Sequence, residues 1–157
     1  MTAKTMTKTG TGECRIVSVE RQLTAVARAQ VRIAEIPGTQ RSLRRKISAA
    51  VGSLDLAPLG DTCTLWRPLA DGKLDLEPGV LVARAFEPVG EVVPSCLPAG
   101  RAAHFLYVGP YEGLSAAWQT LFAWCAREGH KRAGINWEIY GKAESAQPET
   151  SLYALLA

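Results

Sequence analysis

An internal repeat constrains this 157-residue chain more than any other feature of its sequence. In each half, a stretch of alternating apolar and polar residues is followed by a helical pattern and then by two further strand patterns. The halves are offset by about 70–74 residues, so that Val31 corresponds to Phe105. The repeat predicts an α+β fold: a duplicated strand-helix-strand-strand unit, with antiparallel sheets that carry helices on one face and a ligand cleft between the halves.

The first half begins with an extended segment, 14–36. Pro37-Gly38 ends it, and Thr39 is a candidate helix N-cap. Apolar residues then follow at helical spacing as far as Leu54. Strands are predicted at 63–69 and 80–86. The opposite face of the helix carries Arg41, Arg44 and Arg45, which we interpret as a solvated face.

The second half contains the clearest helix in the sequence, at about 114–128. A short strand at 90–93, a longer strand at 101–108 and a turn at 109–113 precede it. Strands at 135–140 and 152–156 follow it. The apolar side of this helix, whose members we interpret as core, comprises Leu114, Ala117, Trp118, Leu121, Phe122, Trp124 and Cys125.

The predicted organisation is a disordered tail at 1–13, a first repeat at about 14–87 and a second at about 88–157. No apolar run approaches the roughly 20 residues that span a bilayer, and the N-terminus lacks the apolar core of a secretory signal. We therefore expect a cytoplasmic protein with no membrane association. The oligomeric state stays open.

Composition argues against several kinds of site. The net charge of +3 is too small to imply nucleic-acid binding by itself. The four cysteines, Cys14, Cys63, Cys96 and Cys125, form no CxxC pair and have no histidine at zinc-ligand spacing. We expect reduced thiols, with Cys63 and Cys125 buried, and neither a cofactor nor a metal. The isolated His104 and His130 are interpreted as structural or surface residues.

The segment 135–140 is the most informative for function. In a strand, Trp137 and Ile139 point to one side and Glu138 and Tyr140 to the other. We expect the first pair to face the helix-covered core, which leaves Glu138 beside Tyr140 in the cleft. A carboxylate among aromatic rings suits organic cations and flat polycyclic molecules. Partial removal from water would also raise the pKa of the Glu138 carboxyl and equip it as a general base.

The repeat places Thr64 and Trp66 at the positions that mirror Glu138 and Tyr140. Two simpler interpretations stay open. Glu138 is equally consistent with an exposed edge-strand carboxylate paired with an arginine, and Trp66 and Tyr140 with ordinary core residues.

Several blocks in the second half resemble the GyrI-like small-molecule-binding family, the effector-binding domain of AraC- and MerR-type multidrug regulators. The blocks are Gly109-Pro110-Tyr111-Glu112-Gly113-Leu114, the helix residues Trp118, Leu121, Phe122 and Trp124, then Trp137-Glu138-Ile139-Tyr140-Gly141, Pro148-Glu149-Thr150 and Leu152-Tyr153. They cover about residues 101–157, and the first half matches mainly in element order.

The resemblance implies the duplicated fold and a cleft in which an acidic strand residue contacts cationic or aromatic ligands. Glu138 occupies the matching strand, and Tyr140, Trp66 and Tyr111 are further ligand-binding candidates. The residues before the first strand are too few for a helix-turn-helix, so we expect a stand-alone member that does not bind DNA directly.

Three functions follow as hypotheses. The first is a multidrug-binding protein for small aromatic or cationic molecules. The second is a detoxifying hydrolase, similar to family members that open the cyclopropane of DNA-alkylating natural products; Glu138 would activate water and Tyr140 would orient the substrate. The third is an interaction protein, similar to gyrase inhibitors, with the basic helix face as its contact for a protein partner.

Overall fold

The computed structural model describes residues 13–56, 58–141 and 148–157, and of residues 58–60 it describes the backbone alone. Of the predicted tail at 1–13, all but Glu13 lies outside these ranges. The described residues form nine strands, two α-helices and two single turns of 3-10 helix. Contacts divide them into two compact units. The first unit is Glu20–Ala99, and the second unit is residues 13–19 together with Gly100–Ala157.

The first unit is an antiparallel sheet with one helix. Its elements are β2 (Gln22–Val26), β3 (Ala29–Arg32), a 3-10 turn (Ile33–Glu35), α1 (Ile36–Leu54), β4 (Pro58–Pro68), β5 (Lys73–Val82) and β6 (Val93–Leu97). Strand β5 pairs with β4, β2 and β3, and β2 also pairs with β6. The core lies under α1, where Leu43, Ile47 and Val51 pack against residues such as Ala25 and Val82.

The second unit repeats this plan. Its elements are β1 (Arg15–Val19), β7 (Gly100–Val108), a 3-10 turn (Tyr111–Gly113), α2 (Leu114–Arg127), β8 (Arg132–Tyr140) and β9 (Glu149–Leu156). Strand β9 pairs antiparallel with both β7 and β8, and β7 also pairs with β1. Its buried apolar residues include Phe105, Leu121, Cys125 and Leu152. The predicted α+β fold with a duplicated strand-helix-strand-strand order is therefore confirmed.

The two hairpins correspond residue by residue at an offset of 74. Thr64 pairs with Pro78 as Glu138 pairs with Leu152. Even the irregularities coincide, since register shifts lie between Pro58 and Thr62 in β4 and between Arg132 and Asn136 in β8. A bulge in the same place of both hairpins is strong evidence for duplication, because bulges depend on local backbone detail.

The elements before each hairpin follow a larger offset of 78. Thr24 pairs with Leu81 as Ala102 pairs with Leu155, and the 3-10 turns begin at residues 33 and 111. The predicted range of 70–74 is thus right for the hairpins and wrong for the strand and helix before them. The difference of four arises because α1 has 19 residues and α2 has 14, while the connection after α1 is one residue shorter than the connection after α2.

The first strand of each repeat is exchanged between the units. Strands β1 and β6 occupy the same position in their repeats, since Arg15–Val19 and Val93–Leu97 differ by 78. Yet β1 pairs with β7, and β6 pairs with β2. The compact units therefore contain different segments of the chain from the predicted repeats at about 14–87 and 88–157. The boundaries of those repeats stay a prediction.

Several predicted boundaries were wrong. Helix α1 begins at Ile36, with Pro37 in its first turn, so Thr39 is inside the helix and not its N-cap. The strand predicted at 80–86 is β5, which ends at Val82 and runs through Pro78-Gly79. Pro78 fits within this strand because it lies opposite the break between β2 and β3, where its carbonyl accepts from the backbone N–H of Ala27. The short strand predicted at 90–93 is instead β6.

No described helix is both long and apolar enough to cross a membrane.

Candidate functional site

Glu138 is a buried carboxylate on β8, with 9% of its surface exposed. Both of its oxygens accept hydrogen bonds from aromatic side chains. Trp118 Nε1 donates to Oε2 at 2.6 Å, and Tyr140 Oη donates to Oε1 at 2.6 Å. The interpretation of Glu138 as an exposed edge-strand residue is therefore wrong. The two donors fix the plane of the carboxylate and stabilise its ionised form.

Aromatic rings continue outward from Tyr140. Tyr111, in the 3-10 turn before α2, packs edge-on against Tyr140 with ring centroids 6.0 Å apart. Tyr111 is 55% exposed, whereas Tyr140 is half-buried. The two rings therefore lead from the surface of the second unit toward the carboxylate.

A second group of aromatic rings, which begins with Trp118, leads from Glu138 to the cation of Arg132. The rings of Trp118 and Phe122, one turn apart on α2, lie 5.4 Å from each other. The guanidinium of Arg132, at the start of β8, stands 3.9 Å from the centroid of Phe122. That distance is within the range of a cation–π contact. The site thus already contains an example of a cation held on an aromatic face.

The turn before α2 is held in place by Tyr107, which sequence reasoning did not identify. The hydroxyl of Tyr107 donates to the carbonyl of Pro110 at 2.7 Å. A Cβ at Gly113 would lie 2.0 Å from that hydroxyl, and one at Gly109 would lie 2.7 Å from it. The glycines of this turn therefore make room for the Tyr107 ring, whose contacts position Tyr111.

The predicted orientation of the strand was half right. Glu138 and Tyr140 do share a face of β8, but it is the face covered by α2, because Trp118 reaches Glu138 from that helix. Trp137 lies on the opposite face, where it stacks parallel to Tyr153 at 5.3 Å, and His104 contacts Tyr153 at 4.8 Å. Alternation determines which residues share a face and does not determine which face the helix covers.

The first unit has a different arrangement at the corresponding place. Thr64 Oγ1 accepts hydrogen bonds from Gln40 Nε2 at 3.0 Å and from Arg44 Nη2 at 2.9 Å. Gln40 is the fifth residue of α1, as Trp118 is the fifth of α2. In both units a helix side chain therefore donates to the mirrored strand residue.

The prediction that Arg44 lies on a solvated basic face was wrong. Arg44 is half-buried and also donates to the carbonyls of Cys63 and Gly79. Arg41 and Arg45 are exposed, as predicted. Trp66 lies on β4 opposite Leu76 and is half-buried, so the structure places it in the first unit and Glu138, Tyr140 and Tyr111 in the second.

The four cysteines are free thiols, and two of them are buried. Cys63 and Cys125 are buried, as predicted. Burial raises the pKa of the Cys63 thiol to about 12 and that of Cys14 to about 11. Both thiols are protonated at neutral pH and are poor nucleophiles. Among the described residues, no three His, Cys, Asp or Glu side chains gather closely enough to hold a metal ion.

Trp118 is a second site residue whose role could not be inferred from the sequence pattern. It was interpreted as core, and it is indeed buried. A buried indole N–H normally finds an acceptor, and a carboxylate on the facing strand could have been considered as its partner. Only the packing of α2 on β8 shows that the two meet.

Comparison with known proteins agrees with the fold. The family described as GyrI-like small molecule binding domain matches residues 12–156 of this chain. No curated protein sequence matches it.

Three solved structures illustrate the similarity. The C-terminal domain of EcmrR shares 18% identity and a TM-score of 0.68, over 92% of this chain and 97% of that one. SAV2435, solved bound to tetraphenylphosphonium, shares 13% identity and a TM-score of 0.70, over 93% and 94% of the two chains. A hydrolase from Listeria innocua shares 11% identity and a TM-score of 0.60, over 92% of each. At these identities the likeness establishes the fold.

Proposed function

Because the chain belongs to the family of GyrI-like small molecule binding domains, we propose that its second unit binds small aromatic or cationic molecules at Glu138. Tyr140 and Tyr111 would offer their rings to the ligand, and the carboxylate would supply the opposite charge. The protein would act as a multidrug-type binder, in a cytoplasmic location.

The observation that carries this proposal is the carboxylate of Glu138, buried between two aromatic donors. Burial of an ionised group is costly, and the hydrogen bonds from Trp118 and Tyr140 offset that cost. A flat cation placed against the same rings would gain both cation–π and Coulomb attraction in a poorly solvated place. SAV2435, a protein of the same fold, was solved with the aromatic cation tetraphenylphosphonium, which supports this ligand class.

The test is a titration of the protein with tetraphenylphosphonium and 9-aminoacridine, both cations, and with neutral acridone, followed by calorimetry. Loss of one partner of a buried charge pair costs roughly 2–5 kcal/mol, so Glu138→Gln is expected to weaken both cations by at least about tenfold. Acridone binding should change less than about twofold, because it carries no charge to lose. Glu112→Gln, at an exposed carboxylate of the neighbouring 3-10 turn, is the matched control. Equal cation affinities in the wild type and Glu138→Gln would contradict the proposal.

The role of Trp66 in ligand binding stays a prediction, and the same titration tests it. If its ring takes part in ligand binding, Trp66→Leu weakens the aromatic cations. If the residue is ordinary core, the affinity is unchanged and only the stability of the first unit falls.

The geometry favours binding over the alternative of hydrolysis. Each oxygen of Glu138 already accepts a hydrogen bond from a fixed donor, and these bonds stabilise the carboxylate and so weaken it as a base toward water. Incubation with a cyclopropane-bearing alkylating agent, followed by mass spectrometry, distinguishes the two. A ring-opened product that contains one added water, formed by the wild type and not by Glu138→Gln, would favour the hydrolase.

A further inference from the structure

Asn136 is a buried amide without a hydrogen-bonding partner. It is 1% exposed, and neither Oδ1 nor Nδ2 bonds to any described residue. The hydroxyl of Thr150, which is fully buried, is also without a partner there. A buried polar group in that state loses its bonds to water and gains nothing in return, so native proteins seldom retain one without a reason.

Both groups flank Glu138 on the same face of the sheet. Along β8, Asn136, Glu138 and Tyr140 are two residues apart, so their side chains share a face and neighbours are about 7 Å apart. Thr150 pairs with Tyr140 across β9. Asn136 therefore extends the proposed site in one direction along the strand, and Thr150 borders it in the other.

The immediate neighbours of Asn136 leave its amide free. Its partner on β9 is Ala154, and the next residue across the sheet is Ala103 of β7. Neither methyl side chain can hydrogen-bond to the amide.

The fold itself does not require a polar residue here. Asn136 ends the bulge of β8, where Gly134 takes a φ of +86°. Its counterpart at the end of the β4 bulge is Thr62, which is exposed and can be hydrated. The same backbone thus carries a solvated hydroxyl in one unit and an unpartnered amide in the other. Bulges often redirect a side chain toward a functional site.

We propose that Asn136 is a specificity-determining residue, whose amide bonds to a carboxamide or lactam group of the ligand. An asparagine side chain presents one acceptor and one donor pair side by side, which complements a ligand amide in a two-point contact. The preferred ligand then combines a flat cationic part at Glu138 with an amide about 7 Å away. This inference rests on the proposed function and narrows its ligand class.

The test compares 9-aminoacridine with 9-aminoacridine-2-carboxamide by calorimetry, because a 2-carboxamide lies about 7 Å from the protonated ring nitrogen. Both are flat cations, and only the second carries the amide. The wild type is expected to bind the carboxamide about tenfold more tightly, the value of one or two well-formed hydrogen bonds to a buried group. In Asn136→Leu, which has nearly the same size, that preference is lost and the affinity for 9-aminoacridine changes less than about twofold. Thr62→Val, at the matched position of the first unit, keeps the preference.

The outcomes separate this inference from the proposed function. If the wild type binds the two acridines equally tightly, the inference alone is overturned. That result is expected if a water molecule hydrogen-bonds to the Asn136 amide. A preference retained in Asn136→Leu, or an equal loss for both acridines, also overturns the inference. Asn136→Ala, which removes the amide without adding volume, gives the same reading if the leucine variant does not fold. Absence of binding by either acridine contradicts the proposed function itself.

Discussion

The two hairpins share one backbone and carry different chemistry. At matched positions, Thr64 of β4 accepts from an amide and a guanidinium, whereas Glu138 of β8 accepts from an indole and a phenol. The charge of the first arrangement is on the helix, and that of the second is on the strand. Duplication fixed the register and the bulges, and the side chains then diverged. The same contact between helix and strand thus carries a cation from the helix in the first unit and a carboxylate from the strand in the second.

The largest expected effect concerns a position where only one hairpin has a side chain. Gly79 of β5 corresponds to Tyr153 of β9, and they lie opposite equivalent residues, Val26 of β2 and His104 of β7. A Cβ at Gly79 would lie 2.7 Å from both the Ala25 carbonyl oxygen and a Val26 methyl. We expect Gly79→Ala to lower the free energy of unfolding by about 3 kcal/mol, measured by urea denaturation.

Gly52→Ala is the control for that measurement, since a Cβ in this part of α1 meets nothing within 4 Å. It should raise stability by up to about 1 kcal/mol, because alanine is the better helix former. Unchanged stability in Gly79→Ala would mean that β2 can move away from β5, and it would contradict the expected difference between the two sheets.

A smaller effect is expected for the donors on the two helices. Trp118→Phe keeps the ring against Phe122 and removes the N–H that reaches Glu138. It should cost about 2 kcal/mol, because a buried carboxylate oxygen loses its donor. Gln40→Leu should cost only about 0.5 kcal/mol, since Arg44 still donates to Thr64.

Both variants are measured by urea denaturation, and Trp118→Phe is repeated in a Glu138→Gln background. There its cost should shrink, because a neutral amide tolerates the missing donor better than a carboxylate does. Equal costs of Trp118→Phe and Gln40→Leu would contradict the difference between the two arrangements.

The smallest expected effect is a pH dependence near neutrality that arises from His104 in the second unit. Burial lowers the pKa of His104 below its usual value, and the nearby charge of Arg15 lowers it further. The folded state therefore favours the neutral ring, and below about pH 6.5 the unfolded chain binds more protons than the folded one. The contribution of neutral His104 to the free energy of unfolding is fully present above that pH and is lost as the pH decreases toward the lowered pKa. For one group the slope cannot exceed about 1.4 kcal/mol per pH unit.

The measurement is urea denaturation at pH 7.5 and 5.5, in the wild type and in His104→Val. The substitution introduces the residue that the first unit has at this place, Val26. It should reduce the difference between the two pH values. The same pH dependence in both proteins would assign the effect to other groups.

Local patterns predicted much of this structure. Alternation identified most of the strands, helical spacing identified α1 and α2, and the pairing of Glu138 with Tyr140 on one face followed from position alone. The features that were missed depend on contacts between distant segments. The side of β8 that α2 covers, the donation from Trp118 and the enclosure of Arg44 are all set by tertiary packing. The partners of the strands could not be predicted either, because nothing in the sequence of β1 indicates that it pairs with β7 rather than β2.

The exchange of β1 and β6 has a consequence for synthesis on the ribosome. Strand β1 emerges first, but its partner β7 is translated more than 80 residues later, as Arg15 pairs with His104. Until β7 has been made, the backbone groups of β1 lack the partners that they have in the folded structure and are bonded to water. N-terminal domains usually fold first during translation. Here β1, which is translated before the other strands, is among the last to pair. It must stay unpaired and accessible until β7 has been translated.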